Sequence, residues 1–99
     1  MENCITKKEL EKLIENKVKF QLIDVRSEEE FNELHIPIAT NFTIETIDSD
    51  QNKLDKEILI VTTCGKGGGR SEKASRKLQD LGFKASYLCG GTFGWFEIN

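Results

Sequence analysis

The fold of this chain is decided by residues 58–71, which read ILIVTTCGKGGGRS. Residues 58–63 form an apolar run rich in β-branched side chains, and such a run is typical of a buried strand. Beyond the glycines, Ala74, Leu78 and Leu81 recur at the spacing i, i+4 and i+7, which places them on one face of a helix. The pattern therefore predicts a strand that leads through a glycine-rich turn into a helix.

Cys64 is placed at the point where this strand ends, and four of the next five residues are glycine. Glycine lets the backbone curl at positive φ and approach a ligand without a Cβ in the way. The N–H groups of such a loop, together with those at the start of the helix, surround the sulfur with partial positive charge. The cations Lys66 and Arg70 add to this field, so the pattern predicts a Cys64 thiolate with a lowered pKa.

Length, composition and charge limit the classes of function. Ninety-nine residues are enough for one small domain, here residues 1–99, around a single core. Apolar residues make up 37% and charged residues 31%, which is typical of a globular chain. The formal net charge of -3 argues against general affinity for nucleic acid or for an anionic membrane. No stretch approaches the ~18 apolar residues of a membrane span, and the first residues lack the apolar core of a signal peptide.

The cysteines are Cys4, Cys64 and Cys89, an odd number at wide spacing. This pattern argues against a disulfide framework. A chain that keeps a thiol in use belongs in a reducing compartment, and the cytoplasm is the simplest choice. Cys4 is interpreted as incidental. Cys89 is interpreted as a small buried residue, with a role as a resolving thiol for Cys64 as the alternative.

The rest of the chain alternates strands and helices. Further strands are predicted over residues 20–25, 38–42 and 83–88. Two capping boxes mark helix starts, Thr6 with Glu9 and Ser27 with Glu30. A third helix is predicted over residues 71–81, with Gly82 at its C-cap. The alternation indicates a parallel sheet covered by helices on both faces, and such sheets bind ligands beyond the carboxyl ends of their strands, where Cys64 lies.

Several motifs occur in an order and at a spacing that together are fairly specific. They are Leu22-Ile23-Asp24-Val25-Arg26 with Glu30-Phe31, His35-Ile36-Pro37 with Ala39-Thr40-Asn41, residues 64–71, and Leu88-Cys89-Gly90-Gly91 with Trp95. In this arrangement the chain resembles a rhodanese-homology domain over nearly its whole length. The resemblance implies an α/β, single-domain rhodanese-like fold, a five-stranded parallel sheet with helices on both faces. It also implies a cysteine that carries a sulfane sulfur, as a persulfide, between a donor and an acceptor.

The chain departs from the family pattern in two places. Leu34 and Ile38 stand where the family commonly has glycine, and we expect only a local adjustment of the backbone there. Five residues separate Cys64 from Arg70, whereas similar single-domain sulfurtransferases usually have four. The longer loop resembles that of the related cell-cycle phosphatases and rhodanese-like arsenate reductases, which enclose a tetrahedral oxyanion. This spacing makes a phosphatase or an arsenate reductase the alternative to a sulfurtransferase.

Residues 64–70 are predicted to bind the substrate and to supply the nucleophile. Cys64 is the predicted catalytic nucleophile, and Lys66 is predicted to neutralise an anionic donor. Arg70 can present its planar fork to an oxyanion or turn outward and brace the loop against a carboxylate, and the sequence does not decide between the two. The backbone donors that would bind the substrate belong to Gly65, Gly67, Gly68 and Gly69.

Three further residues are predicted to support the site. Ser71 is interpreted as the N-cap of the following helix. Asp24 is expected to bond nearby backbone, and Arg26 to pair with a helix carboxylate such as Glu30. His35 is the only histidine, and the family resemblance places it in a structural turn.

The leading hypothesis from the sequence is a thiosulfate-type sulfurtransferase that uses a small anionic sulfur donor and a thiol or protein acceptor. It needs no cofactor, and no spacing of Cys and His indicates a metal site. Besides the oxyanion enzymes, a non-catalytic sulfur-carrier or binding module remains an alternative. The oligomeric state is left open.

Overall fold

The computed structural model of the protein describes residues 4–98, and its centre is a parallel sheet. The five strands are β1 (Cys4–Ile5), β2 (Phe20–Asp24), β3 (Thr40–Asn41), β4 (Leu59–Thr63) and β5 (Lys84–Leu88). Their order across the sheet is β1-β5-β4-β2-β3, and every neighbouring pair is parallel. Three interior strands, β5, β4 and β2, have five residues each. Of these, β2 and β4 are the apolar runs of the sequence, because strands covered on both faces need apolar side chains on each.

Five α-helices connect and cover these strands. They are α1 (Lys7–Glu15), α2 (Glu28–Glu33), α3 (Ile44–Asp50), α4 (Arg70–Asp80) and α5 (Gly91–Trp95), with a 3₁₀ turn at Gln51–Lys53. This architecture confirms the predicted α/β class, the five-stranded parallel sheet and the helices on both of its faces.

The core has two halves, one on each face of the sheet. On one face Ile23 and Ile60 pack with Ala74 and Leu78 of α4. On the opposite face Leu22 and Val61 pack with side chains of α1 and α5. Adjacent residues of one strand thus enter different halves, as the two-residue period of a strand requires.

The two predicted capping boxes are both present. The Thr6 side chain accepts a hydrogen bond from the Glu9 N–H, and the Glu9 carboxylate accepts one from the Thr6 N–H at 2.9 Å. Ser27 and Glu30 form the same pair at the start of α2. These bonds satisfy N–H groups that have no partner within the helix. The C-cap of helix α4 is Leu81 and not the predicted Gly82. Gly82, with φ +95°, is the residue after the C-cap.

The two edge strands differ from the sequence prediction. Strand β1 is not predicted, since two residues carry no periodicity. The strand predicted over residues 38–42 is shortened to Thr40–Asn41, because the chain turns just before it, with the Ala39 N–H donating to the Ile36 carbonyl at 2.8 Å. Within residues 4–98, no helix has the length and apolar character needed to cross a membrane.

The structure contradicts the prediction that the cysteines form no disulfide. Cys4 and Cys89 are joined, with their Cα atoms 5.1 Å apart and 85 residues between them in sequence. The cause is the register of the sheet: Cys4 lies opposite Tyr87, and Cys89 follows two residues later on the same face of the chain. Cys4 is therefore not incidental, and Cys89 is not simply a small buried residue. Cys64 is the free cysteine of the described chain.

Candidate active site

A pocket of about 610 Å³ opens at the carboxyl end of β4. Cys64 lies at its base, where the residue is 4% exposed. The loop of residues 65–70 surrounds the sulfur, and Glu30 and Phe93 complete the wall. The structure thus brings together Cys64, the four glycines, Lys66 and Arg70 around one cavity.

The shape of this loop depends on the turn that follows β5. The Thr92 N–H donates to the Cys64 carbonyl at 2.8 Å, and the Phe93 N–H donates to the Gly65 carbonyl at 2.9 Å. Gly67 has φ +85°, and a Cβ built there would lie 2.3 Å from the Gly90 nitrogen. A Cβ at Gly91 would lie 2.5 Å from the Cys64 carbonyl oxygen. Glycine is required at these two contacts because the two backbones touch.

The sulfur of Cys64 lies among hydrogen-bonding groups of the loop and of α4. Its Sγ is 2.9 Å from the Gly68 carbonyl oxygen and 3.3 Å from the Ser71 hydroxyl oxygen. Burial raises the pKa of the Cys64 thiol, but hydrogen bonds from the Ser71 hydroxyl and from the N–H groups of Ser71, Gly67 and Gly68 outweigh burial, so the pKa lies below its ordinary value. The pocket therefore favours a thiolate.

Ser71 does not cap helix α4, contrary to the sequence prediction. The N-cap is Gly69, and Ser71 is the second helical residue, fully buried. Its hydroxyl faces inward, 3.4 Å from the Gly68 carbonyl and within reach of the Cys64 sulfur. The N-cap lies two residues earlier than predicted, and this turns Ser71 from the end of the helix toward the sulfur.

Arg70 is turned outward and bound to a carboxylate. Its Nη1 and Nη2 donate to Oε1 and Oε2 of Glu30 at 2.8 and 3.1 Å, a two-pronged ion pair. The Arg70 hydrogen bond lowers the pKa of Glu30 to about 2. Sequence reasoning did not place Glu30 in the site. The sequence predicted that Glu30 belongs to a capping box, but nothing in the sequence linked Glu30 to an arginine forty residues away.

Asp24 and Arg26 form a buried pair behind the pocket. Arg26 Nε and Nη2 donate to the Asp24 carboxylate at 2.9 and 2.7 Å, and the Arg26 N–H donates to the same carboxylate at 3.1 Å. The predicted Arg26–Glu30 pair is therefore wrong. Because the chain turns directly after β2, the Arg26 side chain folds back onto the carboxylate of Asp24, two residues before it. The Arg26 guanidinium also lies 6.0 Å from the centre of the Phe93 ring, which connects the pair to the pocket wall.

Two further residues considered in the sequence, Lys66 and His35, have different surroundings in the structure. Lys66 lines the pocket and forms no ion pair within the described chain. The His35 ring stacks on Phe31 and its Nδ1 is 2.8 Å from the Phe31 carbonyl oxygen. Residues 4–98 hold no group of three or more His, Cys, Asp or Glu side chains arranged to bind a metal ion.

Comparison with known proteins identifies the family. A model of the rhodanese-like domain matches residues 6–98. The chain is 35% identical over 86 residues to YtwF of Bacillus subtilis, which carries a provisional sulfurtransferase name, and the match covers 87% of this chain and 82% of that one. The rhodanese-like domain protein of Staphylococcus aureus has 32% identity and a TM-score of 0.84, covering 96% of this chain and 91% of that one. The chain therefore belongs to the rhodanese-like domain family.

A larger protein contains a similar domain. The adenylyltransferase and sulfurtransferase UBA4 of Candida albicans is 30% identical over 104 residues. The match covers 94% of this chain but 23% of UBA4. The chain thus corresponds to a small part of that relative.

Proposed function

We propose that this protein is a sulfurtransferase that carries a sulfane sulfur on Cys64 as a persulfide. The observation that carries the proposal is the position of the Cys64 sulfur at the base of an open pocket, in contact with Ser71 and the loop amides. These donors stabilise a thiolate before the reaction and an anionic persulfide after it. Family membership supports the same reaction.

The reaction has two displacement steps. In the first, the Cys64 thiolate attacks the outer sulfur of the donor, the S–S bond of the donor breaks, and its electron pair leaves with the remaining fragment, which is sulfite when the donor is thiosulfate. In the second, a thiolate or cyanide attacks the outer sulfur of the persulfide, and Cys64 leaves as a thiolate. Lys66 lines the pocket and balances the negative charge of the donor. Neither displacement step as written consumes a cofactor.

The test is the mass of the protein after incubation with a sulfane donor. Wild type should gain the mass of one sulfur atom, lose it again on addition of cyanide, and release thiocyanate. Cys64→Ser should gain nothing. The proposal would be refuted if neither thiosulfate nor an organic persulfide placed a sulfur on the wild-type protein.

An oxyanion enzyme is the second candidate, and the five residues between Cys64 and Arg70 favour it. One contact weighs against it. The fork of Arg70 is occupied by Glu30. Assays with a phosphate ester and with arsenate separate the candidates, since turnover of either without a sulfur adduct would favour this second function.

A carrier module is the third reading, and the similarity to a small part of UBA4 favours it. A carrier would form the Cys64 persulfide but turn over negligibly until a partner protein supplies or removes the sulfur. Steady-state kinetics of the protein alone distinguish a carrier module from a sulfurtransferase that turns over without a partner. As the site of action we propose the cytoplasm, where reductants keep Cys64 as a thiol and also act on the Cys4–Cys89 bond. Labelling of the cellular protein with a thiol reagent before lysis tests this.

A further inference from the structure

We propose that Glu30 is a specificity-determining residue that favours sulfane donors with a single negative charge and an apolar group over dianionic thiosulfate. This inference rests on the proposed sulfurtransferase function and names the class of donor that the pocket takes. Three observations carry it: how Glu30 is held, which charges remain at the pocket, and what surface faces them.

Glu30 is fixed from two sides. Its Oε1 accepts hydrogen bonds from the N–H and the hydroxyl of Ser27, each at 3.1 Å, and these belong to the capping box of α2. The same carboxylate receives both prongs of Arg70. The capping box orients the Glu30 carboxylate and keeps it in place. The Arg70 guanidinium is therefore occupied and is not free to bind an incoming anion.

The ion pair leaves little positive charge for a dianion. Of the described residues, the charged side chains lining the pocket are Glu30, Lys66 and Arg70. Glu30 and Arg70 neutralise each other, so Lys66 supplies the remaining positive charge. A donor with two negative charges approaches both a carboxylate at the rim and the Cys64 thiolate at the base. A donor with one negative charge meets less repulsion at the same distance.

The opposite wall offers an apolar surface. The Phe93 ring lines the pocket, and its Cε2 lies 3.3 Å from where a Gly65 Cβ would stand, so the ring abuts the loop. The Arg26 guanidinium, which is paired with Asp24, lies 6.0 Å from the centre of this ring. An aryl or alkyl group on the donor can pack on this ring, whereas a sulfonate oxygen cannot.

Benzenethiosulfonate is the probe that separates the two classes. It carries a sulfane sulfur like thiosulfate, but with one negative charge and a phenyl group. The Cys64 thiolate attacks its terminal sulfur, the S–S bond breaks, and the electron pair leaves with benzenesulfinate. One persulfide anion and one sulfinate anion replace one thiolate and one thiosulfonate, so charge and atoms balance.

The experiment compares kcat/KM for both donors, with cyanide as the acceptor, in wild type and Glu30→Gln. The amide keeps the capping-box contact with Ser27 but removes the charge and frees Arg70. We expect kcat/KM for thiosulfate to rise by roughly three- to tenfold, the effect of removing one partly screened unit charge near a dianion. For benzenethiosulfonate, which carries half the charge, we expect a rise of about the square root of that factor. The intrinsic reactivities of the two donors cancel in this comparison between variants.

Glu29→Gln is the matched control. It makes the same change of charge on an exposed neighbour in α2 that does not line the pocket. Its ratio of the two kcat/KM values should equal that of wild type. A second variant, Phe93→Ala, should lower the ratio of kcat/KM for benzenethiosulfonate to kcat/KM for thiosulfate at least fivefold, since the loss of a packed aromatic face costs about 1 kcal/mol or more.

Each outcome is decisive. The proposal is overturned if Glu30→Gln changes both donors by the same factor, or if Glu29→Gln reproduces its effect; the sulfurtransferase function would then still stand. If neither donor places a sulfur on wild-type Cys64, the function itself fails, and this proposal with it. Melting temperatures near that of wild type show that the variants are folded.

Discussion

The hydroxyl of Ser71 reaches the Cys64 sulfur from inside α4, and this contact belongs to the smallest scale on which the site is built. We predict that Ser71→Ala raises the pKa of Cys64, because a donor to the thiolate is lost while burial is unchanged. Removing a hydrogen bond to a charged group costs about 1.5 kcal/mol, so at any pH below the wild-type pKa alkylation by iodoacetamide should slow roughly tenfold. The measurement is the alkylation rate against pH.

Ser75→Ala serves as the control for this variant. Ser75 is also buried in α4, one turn further on, but its hydroxyl donates to the Glu72 carbonyl and not to the sulfur. Its alkylation profile should match that of wild type. A profile for Ser71→Ala that does not move to higher pH would show that the loop amides alone hold the thiolate.

The pH dependence of stability offers a test of the Glu30 ion pair. The pKa of Glu30 is about 2 in the folded protein against an ordinary value of 4.5, so the folded state favours the ionised form. Its contribution is therefore complete above pH 4.5 and is lost as the pH falls toward 2. Since the pair is partly exposed, solvent limits its worth to about 1 kcal/mol.

Urea unfolding of wild type and Glu30→Gln at pH 6, 4 and 3 measures this contribution. We expect the difference in the free energy of unfolding to be largest at pH 6 and to shrink at each lower pH. A difference that stays constant with pH would mean that charge plays no part in it.

Much of the site could be predicted at the scale of single residues, but not the pairing of its ions. The strand, the glycines and the helical stripe identified Cys64 and its loop. The partners of Arg26 and Arg70 could not be deduced, because both arginines have several carboxylates within reach and the choice depends on where α2 packs. Ser71 was misplaced for a smaller reason, the two-residue shift in the N-cap of α4.

At the scale of elements, the catalytic loop is held by its contact with the turn after β5. We predict that Gly67→Ala lowers sulfur loading of Cys64 at least tenfold and destabilises the fold by about 1–3 kcal/mol. The added methyl group would meet the Gly90 nitrogen, and φ +85° is strained for alanine. Mass spectrometry of the loaded protein and urea unfolding measure the two effects.

Gly68→Ala is the matched control for the loop. A Cβ at Gly68 meets no atom within 4 Å. This variant should change the free energy of unfolding by no more than about 0.5 kcal/mol. Equal effects at the two positions would mean that the loop needs general flexibility and not this particular contact.

The predictability of the elements depended on their length. The apolar runs of β2 and β4 and the stripe of α4 carry enough residues for a period to show, and all three elements were found. Strand β1 and the shortened β3 have two residues each, so pairing with their neighbours, and not local pattern, makes them strands. That information is absent from the local sequence.

For the whole molecule, the bond between Cys4 and Cys89 closes nearly the full chain. Closing a loop of this length restricts the unfolded chain, and such bridges typically stabilise by about 2–4 kcal/mol. We predict that Cys4→Ser lowers the free energy of unfolding by this amount relative to the oxidised wild type. Chemical unfolding under non-reducing conditions measures it.

Reduced wild type provides the control for the bridge. Treated with a phosphine reductant, it should unfold at the same urea concentration as Cys4→Ser. Once the phosphine has been removed, since it would strip the outer sulfur from a persulfide, Cys64 should still load sulfur in both. Identical stability of oxidised and reduced wild type would show that the bridge contributes nothing. The odd cysteine count had argued against such a bond. A count cannot reveal that the pairing of β1 with β5 brings together two cysteines 85 positions apart.

The same bridge determines how the protein responds to mechanical force. If an optical trap pulls the protein by handles at residues 4 and 98, only the segment beyond Cys89 can be stretched while the bond is intact. Reduction frees a further 85 residues, a contour length of about 300 Å. The bond thus acts as a mechanical latch, and a single extension trace reads its oxidation state directly.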